Sequence, residues 1–178
     1  MIRTSVPPHE MPRNITLRLA KTEDCPALSR LALSSKAHWG YDDAFIKACV
    51  PALTVTPDLL AAHHVVIAER ASDDGSDKEP PPLGFYALSK ARPEAEVECC
   101  FVDPAAIGSG VGGVLWRDME AFARNEGVTG LSLVADPNAV GFYRHMGMEE
   151  AGFTPSNVFG PDRPLPVLKK TLPGISAP

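Results

Sequence analysis

The chain has 178 residues, of which 44% are hydrophobic and 22% charged, and its formal net charge is −5. This length and composition fit one soluble globular domain. The negative charge argues against a nucleic-acid-binding protein, which would carry a basic face. No apolar run approaches the roughly 20 residues that cross a bilayer, and segment 1–14 lacks the apolar core of a signal peptide. We therefore predict a cytoplasmic protein without a membrane partner, with a domain over 15–172 and flexible tails at 1–14 and 173–178.

Hydrophobic periodicity predicts a strand at the start of the domain, followed by helices. Apolar and polar residues alternate over 15–19, and helical spacing predicts two helices over about 27–36 and 42–53. Thr56-Pro57-Asp58 is typical of another helix start. A strand follows over 64–70, then a polar loop over 72–82, then two strands over 83–91 and 95–102 that form a hairpin.

Beyond Val102 the pattern changes to alternating helices and strands. A glycine-rich loop leads into a helix that ends at Gly127. Strand 128–135, a short helix over 137–146 and two final strands over 149–154 and 165–172 complete the chain. This order predicts a mixed α/β chain folded as one layered domain.

The cysteines give no sign of a metal or redox site. None lies in a C-x-x-C pair, and His63-His64 has no further metal partner at a useful spacing. We therefore predict no metal and four free, buried thiols. Because neighbouring residues of a strand face opposite sides of a sheet, Cys99 and Cys100 should diverge.

The most informative segment is the loop after Val102, which has glycine at positions 108, 110, 112 and 113. Glycine allows a ligand to approach the backbone closely, and a helix start offers unpaired N–H groups, so this loop suits a pyrophosphate. Gly108-x-Gly110-x-x-Gly113 also satisfies the dinucleotide fingerprint, with Asp136 as the acidic residue. Against that interpretation, residues 103–106 separate the loop from its strand, and two helices precede it. A glycine-rich helix start that binds nothing is the third interpretation.

Two segments resemble the signatures of GNAT N-acetyltransferases. The loop Phe101-Val102-x-Pro104-x-x-Ile107-Gly108-x-Gly110-Val111-Gly112 resembles the acyl-CoA-binding motif of that family. Ala135-Asp-Pro-Asn138-Ala-Val-Gly-Phe142-Tyr143-x-x-Met146-Gly147 resembles its second signature. The resemblance covers about 15–172 and is specific over 96–147. It implies a central twisted mixed β-sheet with helices on both faces, and direct transfer of an acetyl group from acetyl-CoA to an amine without a covalent enzyme intermediate.

The resemblance also implies roles for the matching residues. Phe101 and Val102 would pair with the pantetheine arm where the strand ending at Val102 splays from the strand ending at Ala135, and the Val102 N–H would polarise the thioester carbonyl. Tyr143 would donate a proton to the leaving thiolate. Asn138 would contact the pantetheine or cap its helix. The pyrophosphate would be bound by Gly108, Ser109, Gly110, Val111, Gly112 and Gly113. One departure is Ile107, which stands where the family usually has Arg or Gln.

Acyl transfer to an amine also needs a base that removes a proton. Glu94, Glu96 and Glu98 share one strand face by their period of two, together with Cys100. Glu96 matches the catalytic glutamate of some family members, and Glu98 lies one step closer to Val102. Either is a candidate base; the alternative is a solvated strand face.

The segment before the second helix, 34–41, is unusual in combining Lys36, Trp39 and Tyr41. Polar-tipped aromatic rings suit the wall of a site for a cationic amine, and an aromatic plug between two helices is the alternative. The acceptor would be a small-molecule or peptide amine, and the resemblance implies a homodimer. Two other functions stay open: an acyl-CoA-binding sensor without catalysis, and a nicotinamide-dependent oxidoreductase.

Overall fold

A computed structural model describes residues 14–71, 80–156, 158 and 160–173. The predicted tails, apart from Asn14 and Pro173, and most of the predicted loop 72–82 lie outside these residues. The described elements in chain order are β1 (Ile15–Leu19), α1 (Cys25–Ala37), α2 (Asp43–Leu53), α3 (Pro57–Ala62), β2 (His63–Arg70), β3 (Pro82–Ser89), β4 (Glu94–Val102), α4 (Val111–Asn125), β5 (Gly130–Val134), α5 (Val140–His145), β6 (Glu149–Ser156) and β7 (Gly160–Thr171).

The seven strands form one mixed sheet in the order β1-β2-β3-β4-β5-β7-β6. Neighbouring strands run antiparallel, except that β4 and β5 are parallel. This topology confirms the mixed sheet and is not the series of parallel βαβ units that the dinucleotide interpretation requires. The start at Thr56 produces the short helix α3, whose Leu59 N–H donates to Thr56 Oγ1 at 3.2 Å.

Helices cover both faces of the sheet, as predicted, and each face has its own apolar core. Leu28 and Leu31 of α1 pack against Ile67 and Phe85 on one face, which we call the α1 face. On the opposite face, the α4 face, the amphipathic helix α4 buries its apolar stripe against the sheet, together with Tyr143 of α5. Within the described residues, none of the helices is both long and apolar enough to cross a membrane.

Strand β4 contains a β-bulge at Glu98. Cys99 is opposite Ala87 on β3 and Val97 is opposite Leu88, so Glu98 is the extra residue. Val97 packs in the α4-face core, and beyond the bulge Cys100 packs there too, whereas Cys99 faces the α1 core. The predicted divergence of Cys99 and Cys100 is therefore confirmed. The expectation that Cys100 shares the face of Glu96 is wrong, because the bulge shifts the alternation by one residue.

Strands β4 and β5 pair over only three residue pairs. Their pairing ends at Glu96 opposite Ser132, while Leu133 and Val134 continue to pair with β7 on the other side of β5. From Val97 onward, β4 therefore has a free edge toward β5. The gap between the two strands passes through the sheet and connects its two faces.

Candidate active site

A cavity of about 820 Å³ fills the gap between β4 and β5 and reaches both faces of the sheet. This volume is at the upper end of the range for small-molecule sites. We divide the cavity into two halves. The glycine-loop half is lined on the α4 face by Ile107, Gly108, Ser109, Gly110, Gly112, Gly113, Arg117, Phe142 and His145. The α1 half is lined by Ser35, Lys36, Trp39, Leu53, Glu98 and Phe101.

The glycine loop turns sharply into α4. Gly108 and Gly110 have φ angles of 82° and 92°, a left-handed conformation that a side chain would strain. At Gly112 a Cβ atom would lie 3.1 Å from the Phe142 ring. Val111, by contrast, is buried in the α4-face core and does not line the cavity. The first turn of α4 therefore meets the cavity at Gly112 and Gly113, an arrangement whose unpaired N–H groups suit an anion.

Arg117 is a cation of this half that the sequence interpretation missed. It is exposed and lines the cavity, and its Nη1 lies 3.4 Å from the position of a Cβ atom on Gly113. The side chain thus folds back over the first turn of α4, and within the described part of the chain we find no ion-pair partner for it. Ile107 at the loop start is 43% exposed and carries no charge. The four-residue spacing of Gly113 and Arg117 on one helix face could have indicated this position.

Tyr143 lines the cavity between its two halves. It is 8% exposed and packs edge-on against Trp116 and Phe142, with ring centroids 5.8 and 5.2 Å away. Its hydroxyl has no hydrogen-bond partner among the described residues. Desolvation by burial, and then the nearby Cys100 and Asp136, raise the pKa of Tyr143 well above its usual value. The hydroxyl therefore keeps its proton at neutral pH and can donate it into the cavity.

A polar network joins the α1–α2 region to the loop after β5. Asp136 accepts hydrogen bonds from Lys36 Nζ at 2.5 Å, from Tyr41 Oη at 3.0 Å and from the Asn138 N–H at 2.8 Å. The Asn138 side-chain amide also donates to Tyr41 Oη at 3.1 Å. We call these four residues the Asp136 network. Since the Asp136 carboxylate already has these partners, its use as the acidic residue of the dinucleotide fingerprint finds no support.

The pKa values within the Asp136 network follow from its contacts. Desolvation opposes ionisation of Asp136, but the hydrogen bonds from Lys36 and Asn138 outweigh it, and the pKa of Asp136 lies below its usual value. Desolvation and the neighbouring Asp136 carboxylate raise the pKa of Tyr41 to about 12. The network is therefore an ion pair of Lys36 and Asp136 with a neutral tyrosine.

Of the three residues predicted to bind the acceptor, two line the cavity and one lies behind its wall. Lys36 and Trp39 line the cavity, whereas Tyr41 lies behind the lining with its hydroxyl in the network. Trp39 is 42% exposed and forms an open apolar surface.

The two candidate bases on β4 differ in position. Glu98, at the bulge, lines the cavity, and its side chain is 49% exposed. Glu96 is exposed and lies outside the cavity lining. Glu98 Oε2 lies 3.8 Å from His63 Nε2, and His63 Nδ1 lies 3.0 Å from the Leu59 carbonyl oxygen. Sequence patterns could not have indicated that His63 lies beside Glu98, because the two residues are on strands separated by β3.

Cys100 also lines the cavity, and desolvation raises the pKa of its thiol to about 12. Because the thiolate is the nucleophilic form, this thiol is a poor nucleophile near neutral pH. Across the described ranges, no group of three or more His, Cys, Asp or Glu side chains is placed to hold a metal ion.

Comparisons with known proteins agree with this geometry. The model of the acetyltransferase (GNAT) family matches residues 35–148. A GCN5-related N-acetyltransferase from Rhodopseudomonas palustris has a similar structure, with a TM-score of 0.72 and 21% identity over 93% of this chain and 100% of that one. None of the curated proteins is significantly similar in sequence.

Two further similar structures are of proteins in complex with coenzyme A or acetyl-CoA. The paia N-acetyltransferase from Thermoplasma acidophilum, in complex with coenzyme A, has a TM-score of 0.69 and 18% identity over 89% of this chain and 99% of that one. The yncA protein from Salmonella typhimurium, with its cofactor acetyl-CoA, has a TM-score of 0.60 and 19% identity over 93% and 98% of the two chains. At these identities the likeness shows a shared fold.

Proposed function

The chain belongs to the GNAT acetyltransferase family, and we propose that it transfers the acetyl group of acetyl-CoA directly to the nitrogen of an amine. The observation that carries this proposal is the cavity through the β4–β5 gap. It brings an anion-binding glycine loop on one face together with Tyr143 and with Glu98. We assign this activity to residues 15–172 as one domain.

The free edge of β4 supports the placement of the pantetheine arm. The Asp103 N–H donates to the Leu83 carbonyl on the β3 side, at 2.8 Å. Successive residues of an antiparallel strand direct their N–H groups to opposite sides, so the Val102 N–H is directed into the gap. There it can bond the arm like an added strand or polarise the thioester carbonyl. Phe101 provides part of the same edge, and Asn138, beyond β5, faces the cavity from the other side.

The glycine loop supports binding of the pyrophosphate. The Ser109 N–H donates to the Ala106 carbonyl, and the other backbone N–H groups from Gly108 to Gly113 give neutral donors and the positive end of the α4 dipole. Arg117 adds a full positive charge near Gly113, and we assign it the phosphate contact that Ile107 lacks the chemistry to make. Charge-assisted hydrogen bonds from a guanidinium are among the strongest phosphate contacts.

The chemistry follows from the positions of Glu98 and Tyr143. Glu98 accepts a proton from the acceptor ammonium, directly or through water, so that the nitrogen lone pair can attack the thioester carbon. The Val102 N–H stabilises the negative charge that develops on the carbonyl oxygen. As the carbon–sulfur bond breaks, Tyr143 donates its proton to the thiolate. The nitrogen gives up its second proton, which returns to the tyrosine oxygen through water, and Glu98 releases the first proton to solvent. The raised pKa of Cys100 favours this direct transfer over an acyl-cysteine intermediate.

Ile107 favours one alternative, an acyl-CoA-binding sensor without catalysis, because the loop start adds no charged contact to the site. Calorimetric titration with acetyl-CoA, with NADH in parallel, is the first test, and release of free thiol in the presence of an amine panel is the second. We expect saturable one-to-one binding of acetyl-CoA alone and amine-dependent thiol release. Binding without turnover on any amine would support the sensor, and binding of NADH alone would overturn the proposal.

A further inference from the structure

The two charged side chains that line the α1 half, Lys36 and Glu98, differ in whether a partner neutralises them. Lys36 is the only cation of that half in the described lining, and its ammonium is bonded to the Asp136 carboxylate at 2.5 Å. This pair is neutral as a unit. The other charged side chain is Glu98, which is half-exposed to the cavity. The α1 half therefore presents one negative charge to an acceptor.

Glu98 has one neighbouring ring, His63, which does not hydrogen-bond it. His63 Nδ1 lies 3.0 Å from the Leu59 carbonyl oxygen, which can only accept a hydrogen bond, so a ring hydrogen stands on Nδ1. Nε2 lies 3.8 Å from Glu98 Oε2, beyond hydrogen-bond distance. The carboxylate of Glu98, whose side chain is 49% exposed, therefore stays open to an acceptor. Glu98 is thus matched to the ammonium group of an acceptor.

The rest of the α1 half is mainly apolar. Trp39 exposes 42% of its surface, and Leu53 and Phe101 extend the same wall. An exposed indole ring beside a carboxylate suits an amine whose body is aliphatic or aromatic, since the body would cover the ring while the ammonium group reaches the carboxylate.

The same arrangement disfavours acceptors with further charges. A carboxylate next to the amine would lie near Glu98 and Asp136, and Lys36 is already bonded to Asp136. The other cation of the described cavity lining, Arg117, belongs to the glycine-loop half. Within the described lining, a second ammonium group would likewise find no unpaired carboxylate in the α1 half. Burying an unpaired charge costs more free energy than the surrounding contacts contribute to binding.

We propose, on the basis of the proposed function, that the acceptor is a primary monoamine on an uncharged apolar body, with no carboxylate beside the nitrogen. The probes are 2-phenylethylamine, phenylalanine, spermidine and a short peptide with a free N-terminal alanine. The first two differ only by the carboxylate. We expect kcat/KM to be at least about tenfold higher for 2-phenylethylamine than for each of the others.

A variant pair tests the apolar wall. Trp39→Ala should raise the KM for 2-phenylethylamine about tenfold or more, while Val50→Ala, an exposed apolar residue on α2 outside the cavity lining, should leave it unchanged. Binding of 2-phenylethylamine to the protein saturated with free CoA should quench tryptophan fluorescence in the wild type and not in Trp39→Ala. This readout needs no turnover.

The outcomes separate the substrate class from the reaction. Efficient acetylation of phenylalanine, spermidine or the peptide, with 2-phenylethylamine poor, would overturn the substrate class and leave the acetyltransferase function in place. Absence of acetyl-CoA binding, or of turnover with every amine, would overturn both.

Discussion

The two halves of the cavity are built by different means. The glycine-loop half depends on the backbone: left-handed glycines, the first turn of α4 and the free edge of β4. The α1 half depends on side chains from distant segments, above all Lys36 and Asp136, which are 100 residues apart. Ligand contacts from the backbone persist when many of the surrounding side chains are substituted. Contacts that depend on a pair of side chains change with a single substitution, and the specificity changes with them. The comparison predicts a generic cofactor site and a specific acceptor site.

The sharpest test concerns Tyr143, where the two halves meet. Tyr143→Phe should lower kcat by about 10²–10⁴-fold, because the leaving thiolate loses its proton donor, while the Kd for acetyl-CoA should change little. The matched control is Tyr86→Phe. The Tyr86 hydroxyl donates to Asp118 at 2.8 Å outside the cavity lining, so this variant should lose stability but not turnover. Unchanged kcat in Tyr143→Phe would refute the proton-donor role.

Neighbouring glutamates on β4 provide the next comparison. Glu98→Gln should lower kcat by about 10²-fold and remove the acidic limb of the pH–rate profile, because the general base is lost. Glu96→Gln removes the same charge outside the cavity lining and should leave the profile intact. If Glu96→Gln lost the acidic limb and Glu98→Gln kept it, Glu96 would be the base. The bulge at Glu98 would then have no part in positioning the base.

Arg117 tests whether the glycine-loop half needs any side chain. Arg117→Gln should raise the Kd for CoA by about 10–100-fold, because a charge-assisted hydrogen bond is lost, and should reduce the salt dependence of binding. Arg30→Gln makes the same change on an exposed residue of α1 outside the lining and should have no effect. An unchanged Kd in Arg117→Gln would mean that the backbone amides suffice.

The smallest effect is expected on stability. Asp136→Asn should lower the free energy of unfolding at pH 7 by about 1–3 kcal/mol, since the ion pair with Lys36 is lost. The pKa of Asp136 is lowered in the folded protein. Its contribution is therefore complete above pH about 4, the ordinary aspartate pKa, and disappears as the pH falls through the folded-state value.

Chemical denaturation of wild type and variant across pH 2–8 measures this difference. Asp24, which is paired with Arg18 at 2.7 Å, also has a lowered pKa and lies outside the cavity lining. Asp24→Asn should lower stability in the same pH-dependent way without changing the KM for the amine, whereas Asp136→Asn should raise that KM. A pH-independent difference for Asp136→Asn would contradict the ion-pair assignment.

Local patterns in the sequence predicted most of the fold. Apolar spacing along α4, the alternation in β1 and the continuous apolar run in β2 are short-range properties. The glycine loop was recognisable because its conformational needs are local. The bulge at Glu98 was not predictable, since a period of two continues through 94, 96 and 98 and only the pairing with β3 interrupts it. The contacts of Asp136 with Lys36 and Tyr41 form only in the folded chain. The sequence alone therefore gave Asp136 no role beyond that of the acidic residue in the disfavoured dinucleotide fingerprint.

The bulge also determines how this site can vary. Glu98 is the one extra residue of β4, and Val97 before it and Cys100 and Val102 after it all face the α4-face core. Deleting Glu98 would therefore restore a regular alternation and keep these side chains on their faces. Loss of the bulge with every residue retained would instead reverse each side chain from Cys99 to the glycine loop. The candidate base thus stands at a position that a single deletion can remove without repacking the strand.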